Sequence, residues 1–247
     1  MSPSVPEAKA HYDRFLAEHY LWMAGGYEGN TAKSRQFFSD YNIRPESDTV
    51  AIDLGAGCGF QSIPLAEAGF RVTAVDFCQP LLDELSSQAP TLGIEAIAGD
   101  ILDFSLWTDR QPELITCMGD TITHLPDHES VSRLIRQCHA ELVSGGSFVL
   151  SLRDYSGEEN GNIAILPVRR DADRIFLCRL EYRPERVLVT DILFSRMSGA
   201  WERSASEYAK LRLAPAQIRE MVELAGFRID LMDEDNGMIV FIGVKSD

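Results

Sequence analysis

The chain of 247 residues has no Cys-x-x-Cys pair. Its cysteines at 58, 78, 117, 138 and 178 show no spacing suited to a zinc site or a disulfide framework. They read as small apolar residues in a reducing compartment, so no metal is expected. No run approaches the roughly 20 apolar residues that a bilayer span requires, and the N-terminus lacks a stretch of signal-peptide type. A cytoplasmic protein without membrane contact is the expectation. Positive charge is also scarce, with 23 Lys and Arg against 38 Asp and Glu and a formal net charge of −15. That field repels a phosphate backbone, and no nucleic-acid partner is expected. The one basic cluster, Arg169-Arg170 with Arg174, reads as a solvated hairpin edge. Internal repeats and low-complexity segments are lacking as well.

What is present is ample core material, 45% hydrophobic, and a regular alternation of patterns. Aromatic and apolar residues recur at helical spacing over 7–24 and stop at Gly25-Gly26; a second helix is expected over Thr31 to Tyr41. Strands at Thr49 to Leu54, 70–75, 94–98, Leu114 to Met118 and Ser147 to Leu152 then alternate with helices at 60–68, 79–88 and Asp127 to Leu142. Such alternation implies parallel strands joined by crossover helices. From 156 to 213 the pattern becomes a series of hairpins, at Ile163 to Val168, Arg174 to Tyr182, Val187 to Met197 and Ser204 to Leu213. A helix at Pro215 to Ala225 and strands near 228–233 and 238–244 resume the first pattern. The expected organisation is an N-terminal helical lid (1–45), an α/β cofactor domain (46–155 with 214–247) and an antiparallel β insertion (156–213). The insertion would wall a substrate pocket or form a dimer edge.

The most informative stretch is Asp53-Leu54-Gly55-Ala56-Gly57-Cys58-Gly59, followed by Val75-Asp76-Phe77. Three glycines at alternate positions close the first strand, as expected where backbone turns sharply against a ligand. A dinucleotide fingerprint needs its third glycine one position later, where Phe60 stands, which disfavours NAD. The stretch resembles motif I of the class I methyltransferases that use S-adenosylmethionine (SAM). The resemblance implies a doubly wound, mostly parallel seven-stranded sheet. It also implies that Asp53 places the methionine amine, that Gly55, Ala56 and Gly57 pass beneath the methionine and ribose, and that Asp76 takes the ribose hydroxyls. Phe77 and Leu81 would flank that site. Asp100 would bond the adenine amino group with Ile101 along the ring, and Met118 would lie against the cofactor.

A narrower likeness follows the fourth strand. Gly119-Asp120-Thr121-Ile122-Thr123-His124-Leu125-Pro126-Asp127 is similar to the Gly-Asn-Ser-Phe-Ala-His-Leu-Pro-Asp segment of the glycine/sarcosine N-methyltransferase group, and Arg153-Asp154-Tyr155 to its Arg-Asn-Tyr unit. By that likeness Arg153 would grip an acceptor carboxylate through two parallel hydrogen bonds. Asp120, which replaces the group's asparagine, and His124 are the candidate bases if an amine must lose a proton. Tyr12, Tyr20, Trp22 and Tyr27 could cover the site from the N-terminal helices, with Tyr20 and Trp22 assigned to the acceptor. The favoured reading is a SAM-dependent methyltransferase acting on a small-molecule, carboxylate-bearing amine, as a monomer or homodimer. The alternatives are a small-molecule O-methyltransferase, or a SAM-binding regulator without turnover.

Overall fold

A computed structural model describes residues 8–45, 49–197, 199–235 and 237–246. The start of the expected first helix at 7, the first seven residues of the expected lid and the expected domain boundary at 46 lie outside them. Strands β1 (Val50–Leu54), β2 (Arg71–Asp76), β3 (Glu95–Ala98), β4 (Leu114–Cys117) and β5 (Ser147–Leu152) run parallel to one another. The chain then builds a separate antiparallel sheet from β6 (Ile163–Arg170), β7 (Arg174–Tyr182), β8 (Arg186–Met197) and β9 (Ala200–Leu211). It returns through a helix, Pro215–Leu224, to β10 (Phe227–Asp235) and β11 (Met238–Lys245). The first sheet has seven strands in the order β10-β11-β5-β4-β1-β2-β3, with β11 antiparallel to both neighbours. The fold class matches the expected one. The two largest boundary shifts are at the helix expected from Thr31, which starts at Tyr27 directly after Gly26, and at the strand expected from Ser204, which begins at Ala200.

The central parallel strands are mostly apolar because helices cover both faces. Ile52, Leu54, Ile115 and Cys117 point into a layer with Leu134, Ile135, Cys138 and the fully buried Trp107. Ala51, Leu114 and Val149 point the other way, onto Phe37, Phe38 and Leu65. Helix starts follow local chemistry: the Asp127 carboxylate accepts from Ser130 N at 2.7 Å, opening the helix His128–Glu141. Pro215 occupies the first turn of the return helix.

Strand order reverses at β1, which lies between β2 and β4. The crevice at the carboxyl ends of these strands is where an open α/β sheet binds ligands. Residues 8–24 form one helix with a π turn at Tyr12–Leu16, and it roofs that crevice. Leu16 packs on Phe176 and Leu193 of the antiparallel sheet. Among the described residues no helix is long and apolar enough to cross a membrane.

Candidate active site

β1 ends in a turn whose three glycines all have left-handed backbone, with φ of 77° at Gly55, 52° at Gly57 and 87° at Gly59. A Cβ on Gly55 would lie 2.3 Å from the Thr121 side chain, and one on Gly59 would lie 2.2 Å from Leu85. Both glycines are therefore required by close packing as well as by conformation. Gly57 has room, and its N–H donates to Asp76 Oδ2 at 2.8 Å while Cys78 N–H donates to Asp76 Oδ1 at 2.8 Å. The carboxylate thus ties the glycine turn to the end of β2. Burial pushes its pKa up, against the pull of the two N–H groups, and lone pairs remain on both oxygens for ligand hydroxyls.

These residues border a cavity of about 830 Å³, a size that suits a small-molecule site. Gly55, Ala56, Gly57, Asp76, Phe77, Leu81, Asp100, Ile101 and Met118 all line it, so nine of the ten expected cofactor residues converge there. Asp100 accepts from Leu102 N through Oδ1 at 2.9 Å, which leaves Oδ2 available, and the buried Ile101 is fixed by Trp107 Nε1 donating to its carbonyl at 3.0 Å. Cys58 also lines the cavity, but burial pushes its thiol up to about 12, so it is no nucleophile.

The roof is aromatic. Tyr12 and Tyr20 line the cavity, and Tyr12 meets Phe77 and His124 edge-on at 5.5 and 5.7 Å. Tyr208 stacks between His124 (5.5 Å) and His11 (4.3 Å). His124 borders the cavity with its Nδ1 unpartnered; burial, with Lys210 and His11 nearby, holds its pKa well below the usual histidine range, so the ring is neutral. His11 Nε2 lies 3.0 Å from Asp191 Oδ2, and both side chains are buried. This pair pins the roof helix to β8.

Four expected site residues lie elsewhere. Asp53 is buried beneath the turn, where it accepts from Ser62 Oγ at 2.6 Å and Thr116 Oγ1 at 2.8 Å; it faces the sheet and does not line the cavity. Asp120 is 2% exposed and fully engaged, accepting from Lys210 Nζ at 2.5 Å, Tyr155 OH at 2.8 Å and Arg153 N at 3.0 Å. A carboxylate so occupied does not serve as the acceptor's base. Arg153 contributes its backbone N–H to that knot, while its exposed side chain is absent from the cavity wall. Trp22 points away from the cavity, under the Arg174 guanidinium at 4.1 Å. It lies two residues from Tyr20, which on a helix is the opposite face.

Sequence reasoning missed Lys210, Lys9 and Arg186. Lys210 sits beside Tyr155 and Tyr208, with its pKa raised by Asp120 against the cost of burial. The signal was available: a lysine two positions after Tyr208, on the inward face of a strand end. Lys9 and Arg186 line the cavity as its basic residues; Lys9 Nζ donates to Phe77 O and Asp13 at 2.8 Å each, and Arg186 bonds Pro126 O.

Residues 51–146 match the family described as a methyltransferase domain. The cypemycin N-terminal methyltransferase of a Streptomyces species is 27% identical over 190 residues, 77% of each chain. The glycine/sarcosine N-methyltransferase of Halorhodospira halochloris is 26% identical over 130 residues, 51% of this chain and 48% of that one. Among solved structures, the CcbJ methyltransferase from Streptomyces caelestis superposes with a TM-score of 0.80 at 19% identity, covering 97% of this chain and 99% of the other. The chain is a SAM-dependent methyltransferase with a methyltransferase domain over residues 51–146, and its fold is that of the class I enzymes. Its cofactor is SAM, and the open glycine turn and the unfilled acceptor positions of Asp76 fit that ligand.

Proposed function

We propose that the acceptor is a small amine bearing a carboxylate, methylated on nitrogen. The observation that carries this reading is the neutral, largely buried His124, which borders the cavity with its Nδ1 unpartnered and the Tyr12 ring edge-on to it. An ammonium has no lone pair to give, so the site must hold the acceptor as a free amine. A desolvated aromatic pocket disfavours the charged form. A neutral imidazole accepts an N–H from the amine, and Tyr12 and Tyr20 enclose it. One curated relative is a glycine/sarcosine N-methyltransferase and another acts at the N-terminus of cypemycin, which supports an amine acceptor. In place of Arg153, the carboxylate would pair with Arg186 at the cavity wall.

In this reading Asp76 holds the ribose hydroxyls, Asp100 and Ile101 the adenine, and Gly55, Ala56, Gly57 and Met118 border the methionine portion. The bound cofactor supplies a methyl group on a positively charged sulfur. The chain's own residues align the acceptor and exclude water, and no acid catalyst is needed. The test is a methyl-transfer screen over amines, amino acids and phenols, with products located by mass spectrometry. N-methyl products are expected, with an amino acid turned over better than its amide. Arg186→Gln should raise KM for the carboxylate substrate more than it lowers kcat. Turnover confined to hydroxyl acceptors would overturn the reading.

A further inference from the structure

The loop that follows β4 supplies Met118, Gly119, Thr121 and His124 to the cavity wall. Its shape turns on Asp120, which has left-handed backbone, with φ of 76°, although it is not a glycine. A residue with a side chain keeps that conformation only where its surroundings over-determine it. The Asp120 carbonyl accepts from Thr123 N at 3.1 Å and from Thr123 Oγ1 at 2.7 Å, closing the short helical turn Thr121–His124. Its carboxylate accepts from Arg153 N and Tyr155 OH, just after β5, and from Lys210 Nζ on β9. Of these three donors only Lys210 comes from the antiparallel sheet. Tyr208 shares its face of β9 and stacks on His124 at 5.5 Å. One strand face therefore grips the turn at both ends.

On the amine-acceptor reading above, we propose that Lys210 is a positioning residue for methyl transfer: acting through Asp120, it fixes the loop that presents His124 to the acceptor. Lys210 does not itself line the cavity, so its action passes through that loop. A buried carboxylate needs a paired cation, which makes Asp120 and Lys210 one unit. The ammonium also sets the field around His124. The groups close to that ring are Tyr12 and His11 of the roof helix and Tyr208 and Lys210 of β9. The nearby carboxylates are engaged elsewhere, Asp191 with His11 and Asp120 with its three donors. In a wall already desolvated, a cation behind the imidazole opposes its protonation. An acceptor amine beside His124 meets the same field and is held in the uncharged form that has a lone pair to give.

The test is an NMR titration of the His124 ring in the full chain saturated with S-adenosylhomocysteine, its signal assigned by its loss in His124→Gln. In the wild type it should titrate well below the usual histidine range and show a nuclear Overhauser contact with the Tyr208 ring. Lys210→Met combined with Asp120→Asn removes the ion pair without stranding a charge. That double variant should bind S-adenosylhomocysteine within about twofold of wild type, yet titrate His124 higher and weaken its contact with Tyr208. With an amine from the methyl-transfer screen as acceptor, its kcat should fall about tenfold or more, with KM for SAM little changed. A wild-type His124 that titrates in the ordinary range would overturn the proposal, as would a double variant whose titration overlays the wild type or whose kcat is intact. Absence of turnover with every amine would strike the acceptor reading alone, because the titration needs no acceptor and still decides the role of Lys210.

Discussion

Asp53 offers a quantitative test of the site's foundation. Its carboxyl is 1% exposed and bonded to two hydroxyls, and burial pushes its pKa from 3.8 to about 6. The folded state then binds more protons than the unfolded chain between those values, so stability falls as pH rises through that window. The contribution is fully present below pH 3.8 and lost once pH exceeds about 6. The gap corresponds to about 3 kcal/mol. Asp53→Asn removes the titration while keeping the bonds, because either hydroxyl can reverse and accept from the amide. Denaturant unfolding of both proteins without added cofactor should show the variant gaining about 3 kcal/mol relative to wild type between pH 4 and pH 7.5. A difference that stays flat, or that moves against the variant as pH rises, would refute the assignment of Asp53 as a desolvated carboxyl beneath the turn.

Lys210→Met should strand the buried Asp120 carboxylate and cost about 3–5 kcal/mol in denaturant unfolding at pH 7. Adding Asp120→Asn should recover most of that loss, and a failure to recover would show that Lys210 matters for its packing alone. Gly55→Ala forces a Cβ onto Thr121 in a left-handed turn, with an expected cost of about 1–3 kcal/mol. It should also weaken S-adenosylhomocysteine binding at least tenfold by calorimetry; unchanged affinity would refute the tight fit of turn against loop.

The cofactor half of the cavity was legible in the sequence because its residues follow strand ends directly: once the glycine turn, Asp76 and Asp100 are placed on β1, β2 and the end of β3, parallel pairing brings them together. The acceptor half was not, because its chemistry depends on which distant side chain arrives. Asp120 reads as a base until Lys210, ninety residues on, is seen to occupy it. Arg153 was assigned from a local likeness, yet its contribution is a backbone N–H. Tyr20 and Trp22 share one helix, and only its docking decides that the tyrosine faces the cavity and the tryptophan faces Arg174. Asp53 kept its predicted position at the strand end, but Ser62 and Thr116 turned its carboxylate into the sheet.

The pairing of His11 with Asp191 spans 180 residues of chain, and β11, which sits between β10 and β5, follows both of its neighbours in the chain. Non-local closures of this kind are paid for in folding rate. The roof helix precedes the part of its docking surface in the antiparallel sheet by most of the protein, and Phe15 and Leu16 wait for Phe176 and Leu193. The ligand cavity is therefore a late product of folding. Retention on an immobilised SAM analogue would report that the antiparallel sheet has formed and docked the roof helix.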